Sequence, residues 1–251
     1  MKVALCVMEI KQEKRTALEF MKKAITAAAN ENCDLIAFPE FALCGIDLTG
    51  IFEDDAKIAL PVQSEEINKL KQTALDNHIY TAFGWLEISN DKIYDSAMLI
   101  SPAGNSVLHY RRMNGGWMLP NCDPKHYFNG NNPECYDTAM GRIGFLLCGD
   151  LFQPEVVMQL KDLRPDIVLY LIARSIVIDD DAQSYWEQNE QPYYTEEIAK
   201  LQAKVLAVNL LDKEIGKGEE AFCGGAWIYD QTGKIVASKP LLQEGMLIYN
   251  L

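Results

Sequence analysis

The stretch Arg142-Ile143-Gly144-Phe145-Leu146-Leu147-Cys148-Gly149-Asp150 carries an apolar run that stops abruptly on a thiol, a glycine and a carboxylate. A short apolar run bounded this way reads as a buried strand, and Gln153-Pro154-Glu155 opens a helix behind it, because proline suits a helix's first turn. Cys148 then stands at a strand's carboxyl end, where rigid backbone holds a side chain above the sheet edge. The following segment can aim amide dipoles at a developing negative charge there. Cysteine is also among the residues most often buried as a small hydrophobe, so this stretch alone leaves nucleophile and core residue both open.

Two other places in the chain narrow the choice. Asp34-Leu35-Ile36-Ala37-Phe38-Pro39-Glu40-Phe41 is another short apolar strand ending on a carboxylate, and Tyr110-Arg111-Arg112-Met113-Asn114 is an extended segment ending on cations. An acid, a cation and a thiol, each at a strand end, make a constellation. Working outward, Val3 to Met8, an Ala-rich helix over Lys14 to Asn30 and Leu35 to Phe38 form a β-α-β unit. A helix from Ser64 to Asn77 precedes strands at Tyr80 to Ile88, Tyr94 to Ile100 and Val107 to Arg112, joined by turns at Asn90-Asp91 and Pro102-Ala103-Gly104-Asn105. After the Cys148 unit come a buried strand at Ile167 to Ala173, a long helix over Tyr193 to Ala207, and strands around Asp230-Gln231-Thr232-Gly233 and at Gly245 to Asn250. Periodicity by itself yields only mixed α/β.

The order and surroundings of these motifs resemble the nitrilase superfamily of carbon-nitrogen hydrolases, whose triad is a Glu after a Pro, a Lys after Tyr-Arg, and a Cys before x-Asp. The resemblance runs from the opening strand to Gly224-Gly225-Ala226-Trp227-Ile228-Tyr229-Asp230-Gln231-Thr232-Gly233. It implies a four-layer αββα sandwich and two subunits paired through their helices as a homodimer. It also implies a triad of Glu40, Arg112 and Cys148, in which Arg112 occupies the family's lysine position. The family often carries a further glutamate before a Phe-x-x-Gly-like turn. Leu119 to Gly130 holds none, and Asp123 is the nearest carboxylate there.

Composition bounds the rest. A chain of 251 residues suits one sizeable domain spanning 1–251, and a formal net charge of -13 repels nucleic acid and anionic lipid, so neither is an expected partner. The seven cysteines lack C-x-x-C spacing, which points to a reducing cytoplasm. His78, His109 and His126 fall at no ligand spacing, so no metal is expected, and no cofactor either. The opening apolar run is too short for a secretory leader and no run is long enough to span a bilayer.

Amide hydrolysis needs a nucleophile, a proton carrier and donors for the oxyanion. Cys148, Glu40 and the Gly149 amide are the candidates, and a carboxylate among apolar residues is a usable base toward a thiol. Arg112 can stabilise an oxyanion but cannot shuttle protons, and a two-pronged clamp on Glu40 would weaken that base. The substrate that the resemblance implies is a small amide or carbamoyl compound. The competing reading is a non-catalytic ligand-binding or scaffold protein with the triad disrupted at Arg112. Arg174, beside Ser175 at a strand end, is a candidate for binding a substrate anion or for an ion pair with Asp179, Asp180 or Asp181. Trp117 is a candidate pocket-lining aromatic, and the loop from Asn114 to Pro133 a candidate wall. A working site predicts alkylation of Cys148 below the pH of a free thiol.

Overall fold

Along β1 (Lys2–Val7) alternate side chains meet different partners: Val3, Leu5 and Val7 lie in one buried cluster, Ala4 and Cys6 in another. A strand buried on both faces belongs to an inner layer. The computed structural model describes residues 1–11, 13–212 and 218–251. In it β1 sits within a six-stranded sheet ordered β14 (Gly245–Asn250), β1, β2 (Leu35–Ala37), β3 (Tyr80–Ser89), β4 (Lys92–Ile100) and β5 (Ser106–Arg111). The second six-stranded sheet runs β13 (Ile235–Lys239), β12 (Ala226–Tyr229), β10 (Lys204–Asn209), β8 (Ile167–Ile172), β7 (Gly141–Leu147) and β6 (Cys135–Thr138). Each sheet has a parallel centre, β1-β2-β3 in one and β7-β8-β10 in the other, with antiparallel flanks. A small antiparallel pair, β9 (Ser175–Val177) and β11 (Glu220–Phe222), stands apart.

Three apolar clusters fill the spaces between four layers. Val3, Leu5, Leu35, Ala97 and Leu99 of the first sheet meet Phe145, Leu147, Leu169, Leu171 and Val208 of the second. On the outer side of the first sheet, Ala4, Cys6, Ile36, Phe83 and Trp85 receive α1 (Lys14–Asn30) and α3 (Glu65–Asn77). The helix α1 presents Leu18, Met21, Ile25 and Ala28 at the spacing of a buried stripe. Outside the second sheet, Val168, Tyr170 and Ile172 pack under α4 (Pro154–Asp162) and α6 (Gln191–Leu201). The architecture is thus the expected αββα arrangement. A short α2 (Phe52–Ile58) and α5 (Ala182–Tyr185) complete the helices, and no described helix is long and apolar enough to cross a membrane.

One element departs from the sequence reading. The helix expected over Tyr193 to Ala207 ends at Leu201, where Gln202 turns left-handed at φ 54°, and Lys204 to Asn209 is the central strand β10. Val205, Leu206 and Val208 fit a pleated, doubly buried surface between β8 and β12, and that context overrides the helical pattern upstream.

Alternation also separates two adjacent arginines. Arg111 leaves β5 on the outer face, where Glu87 accepts from Arg111 Nη2 at 2.5 Å, Ser96 Oγ at 2.6 Å and His109 Nε2 at 2.8 Å. Burial alone would raise the Glu87 carboxyl, but His109, Arg111 and Ser96 together hold it at about 2, against an ordinary 4.5. That difference is worth about 3 kcal/mol, present above pH 4.5 and lost as pH falls toward 2. Glu87→Gln is expected to lower the melting temperature at neutral pH by roughly 10 °C. The deficit should shrink as pH falls through that window, and a deficit independent of pH would rule the ionic account out.

Candidate active site

The parallel centres of the two sheets decide which ends of which strands converge. In the first sheet β5 runs in the same sense as β2, being two antiparallel steps from β3, so Glu40 and Arg112 emerge at one end. Cys148 emerges from β7 across the gap between the sheets, since Tyr110 and Arg112 share their alternation with Leu108 of the inter-sheet cluster, as Phe145 and Leu147 do on β7.

The chain turns sharply at each of these ends. Cys148 has φ 39°, a left-handed conformation that costs a non-glycine residue about 1–3 kcal/mol and persists only where the surroundings enforce it. Tyr170 Oη donates to the Cys148 carbonyl at 2.7 Å, and Asp150 accepts from Tyr110 Oη at 2.7 Å, Asn114 N at 2.7 Å, Met113 N at 3.1 Å and Leu147 N at 3.3 Å. Asp150 therefore ties the corner after β7 to the segment after Arg112. At the other acid, Phe41 is left-handed at φ 54°, and Gly84 lies so close that a Cβ there would meet the Glu40 Cα at 2.7 Å. Only glycine at 84 lets the Glu40 backbone settle onto β3.

Arg112 lies between the acid and the nucleophile corner. Its Nη1 donates to Glu40 Oε1 at 2.8 Å and approaches Asp95 Oδ2 at 3.4 Å, and Nη2 donates to Asn114 Oδ1 at 3.3 Å. A Cβ built on Gly149 would meet Arg112 Nη2 at 2.7 Å, so the guanidinium abuts the turn that carries the thiol. The feared two-pronged clamp is absent, because Glu40 receives one nitrogen and that nitrogen is shared with Asp95. Glu40 is 0%, Asp95 1% and Arg112 5% exposed.

The thiol's setting disfavours easy ionisation. Burial, and secondarily the negative charge of Glu40, push Cys148 up to about 12, while Arg112 and a hydrogen bond with the Ala173 backbone act in the opposite sense. Cys148 rests as a thiol in this environment. Its deprotonation has to be coupled to attack.

The remaining candidates have other engagements. Asp123 is exposed, and its Oδ1 accepts from the Lys125 amide at 2.9 Å, the turn geometry natural to an Asp before Pro. It stands outside the group around Arg112. Trp117 is buried in the outer cluster of the first sheet and donates from Nε1 to Asn129 Oδ1 at 3.1 Å, so it braces the loop after Arg112 from within the core. That loop is pinned by Asn114 at one end and by Gly130 N on the Arg112 carbonyl at 2.8 Å at the other. Ser175 Oγ donates to Glu220 at 2.6 Å. Arg174 pairs through Nε and Nη2 with Glu190 at 3.2 and 2.9 Å, rather than with the nearer acids in sequence. Glu190 is the last residue of a π-helical turn, Trp186–Glu190.

Sequence reasoning missed Asp95 and Glu190. For Asp95 a signal existed: it is a carboxylate two and four residues before Ala97 and Leu99, on the face that β4 turns to the inter-sheet core. A charged residue on such a face needs a partner, and Arg112 occupies the matching face of the neighbouring strand.

Comparisons with known proteins identify the family and the fold. The sequence pattern of the carbon-nitrogen hydrolase family matches residues 2–251. A cyanide hydratase from Stereum hirsutum is 30% identical over 144 residues, 52% of this chain and 38% of that protein, so the match spans under two fifths of the relative's length. A probable nitrilase from Schizosaccharomyces pombe is 24% identical over 227 residues, 89% of this chain and 77% of that protein. Among solved structures, an amidase from Nesterenkonia sp. AN1 superposes with a TM-score of 0.79 at 16% identity, covering 100% of this chain and 93% of that one, which speaks to the fold.

Proposed function

The chain belongs to the carbon-nitrogen hydrolase family, and from that premise we propose that it hydrolyses a small amide or carbamoyl compound through an acyl-enzyme on Cys148. The observation that carries this reading is the buried contact of Arg112 with Glu40 at 2.8 Å on one side and with the Cys148-Gly149 corner on the other. Glu40 takes the thiol proton as Sγ bonds to the amide carbon, and the oxyanion draws on the Arg112 guanidinium and the Gly149 N–H. Glu40 then returns the proton to the nitrogen, the C–N bond breaks, and ammonia or an amine leaves a thioester. Water, deprotonated by Glu40, attacks the thioester; the acid departs and the thiol recovers its proton. Arg112 keeps its charge throughout and moves no proton.

A thiol pushed up to about 12 is what favours the second reading, a binding protein with an idle cysteine. Ammonia release from a panel of small amides, carbamoyl compounds and nitriles, with acid-quenched intact mass, separates the two. The expected result is ammonia release with an acyl adduct on Cys148, both absent in Cys148→Ala. Nitriles enter the panel because relatives are named for them. Tight binding of an amide with neither ammonia nor adduct would overturn hydrolysis.

A further inference from the structure

Three acids, Glu40, Asp95 and Asp150, surround a single buried guanidinium, and all three are essentially sealed from solvent. If all were ionised, the pocket would hold a net charge of two negatives beside a thiol that has to become an anion. Removing that much charge from water without matching cations is too costly, so the cluster has to hold a proton.

The donors on each acid identify where it sits. Asp150 has four, from Tyr110, Met113, Asn114 and Leu147. Glu40 has the close Arg112 Nη1 at 2.8 Å. Asp95 has only the same nitrogen at 3.4 Å, the poorest set of the three. Moreover Glu40 Oε2 and Asp95 Oδ1 are buried with no donor among the described residues, and the two carboxyls flank one and the same Arg112 nitrogen. A proton on Asp95 supplies the missing donor for the pair.

We infer that Asp95 is a positioning residue, neutral in the resting enzyme, which donates a hydrogen bond to Glu40 and holds that carboxylate in place between Arg112 and the thiol. Burial, then the Glu40 charge and hydrogen bond, then Asp150, all push the Asp95 carboxyl well above the usual carboxylate range, and Arg112 only partly opposes them. The titratable groups that face it are Glu40 after β2, Tyr110 and Arg112 on and after β5, and Cys148 and Asp150 after β7. As the pH rises and Asp95 loses its proton, it repels Glu40 and competes for Arg112, so activity falls on the alkaline side. This rests on the amide-hydrolase reading for its consequence in turnover, but the location of the proton does not.

Infrared spectroscopy of the full chain at neutral pH is the direct test. A neutral-carboxyl stretch that disappears in Asp95→Asn is expected. Absence of the band in the wild type, or its persistence in Asp95→Asn, would overturn the inference. In kinetics, Asp95→Leu is expected to lose about 100-fold in kcat/KM, the cost of a misplaced catalytic group. Asp95→Asn, which keeps a donor, should recover most of that loss and shed the alkaline limb of the profile. An Asn variant as impaired as Leu, or one that keeps the limb, would also overturn it. The band needs no substrate: a protein that shows it and turns over nothing refutes amide hydrolysis alone, and turnover without it refutes the Asp95 assignment alone.

Discussion

Glu40→Gln is expected to cut amide turnover by roughly 10²- to 10⁴-fold, while making Cys148 easier to alkylate. The signs are opposite because Glu40 has two roles. As a base it carries the thiol proton to the leaving nitrogen, a function the amide of glutamine cannot perform. As a charge it is second only to burial among the causes that hold the thiol at about 12. Cys148 is therefore held as the thiol at neutral pH. Removing the carboxylate leaves Arg112 facing the sulfur, and Asp95, whose influence on the thiol ranks below that of Glu40, replaces it only in part. The alkylation curve should therefore move to lower pH as turnover collapses. Peptide-resolved iodoacetamide labelling against pH, with Cys148→Ala for the other thiols, measures the first; ammonia release measures the second. Slower labelling in the variant, or undiminished turnover, would sink the assignment of Glu40.

Arg112→Met is expected to destabilise the protein by about 3–5 kcal/mol, because removing one partner of a buried ion pair leaves the others uncompensated. The guanidinium is the counter-charge of Glu40, faces the Asp95 carboxyl through the same nitrogen, and abuts the Cys148-Gly149 corner. Its loss should lower the melting temperature by at least roughly 10 °C, abolish turnover, and slow alkylation of Cys148, the reverse of the Glu40→Gln shift. Removing the Glu40 charge as well, and with it the Asp95 carboxyl that would be free to ionise once Glu40 is neutral, in Arg112→Met/Glu40→Gln/Asp95→Asn, is expected to restore most of the stability and none of the activity. If the triple variant stays as unstable as the single one, the loss comes from packing rather than from stranded charge. Arg112→Lys keeps the charge but has one nitrogen where the native side chain uses two, Nη1 toward the acids and Nη2 toward Asn114. It should fold nearly as well and position Glu40 less firmly.

Much of this site could be anticipated from the chain as a string of residues. Strand ends at Glu40, Arg112 and Cys148 follow from apolar runs that stop on functional groups, and the β-α-β rhythm puts those ends on one rim. Where the reading failed, a long-range partner made the difference. Lys204 to Asn209 is a strand because β8 and β12 flank it, and Arg174 pairs with Glu190, sixteen residues on, rather than with an acid close to it in the chain. Asp123 lost its candidacy to a local turn, and Asp95 took a place that spacing to the triad could not reveal.

Alternation with period two is a local property, so the polypeptide's order of residues settled that each inner strand has two buried faces, and that Arg111 and Arg112 point opposite ways. What lies across from each face is a matter of pairing between segments far apart in the chain. Only the assembled sheets set Asp95 beside Glu40 under one guanidinium, and made burial rather than a neighbouring cation the main influence on the Cys148 thiol. Charge and desolvation act through space, and those distances exist only once the layers have closed.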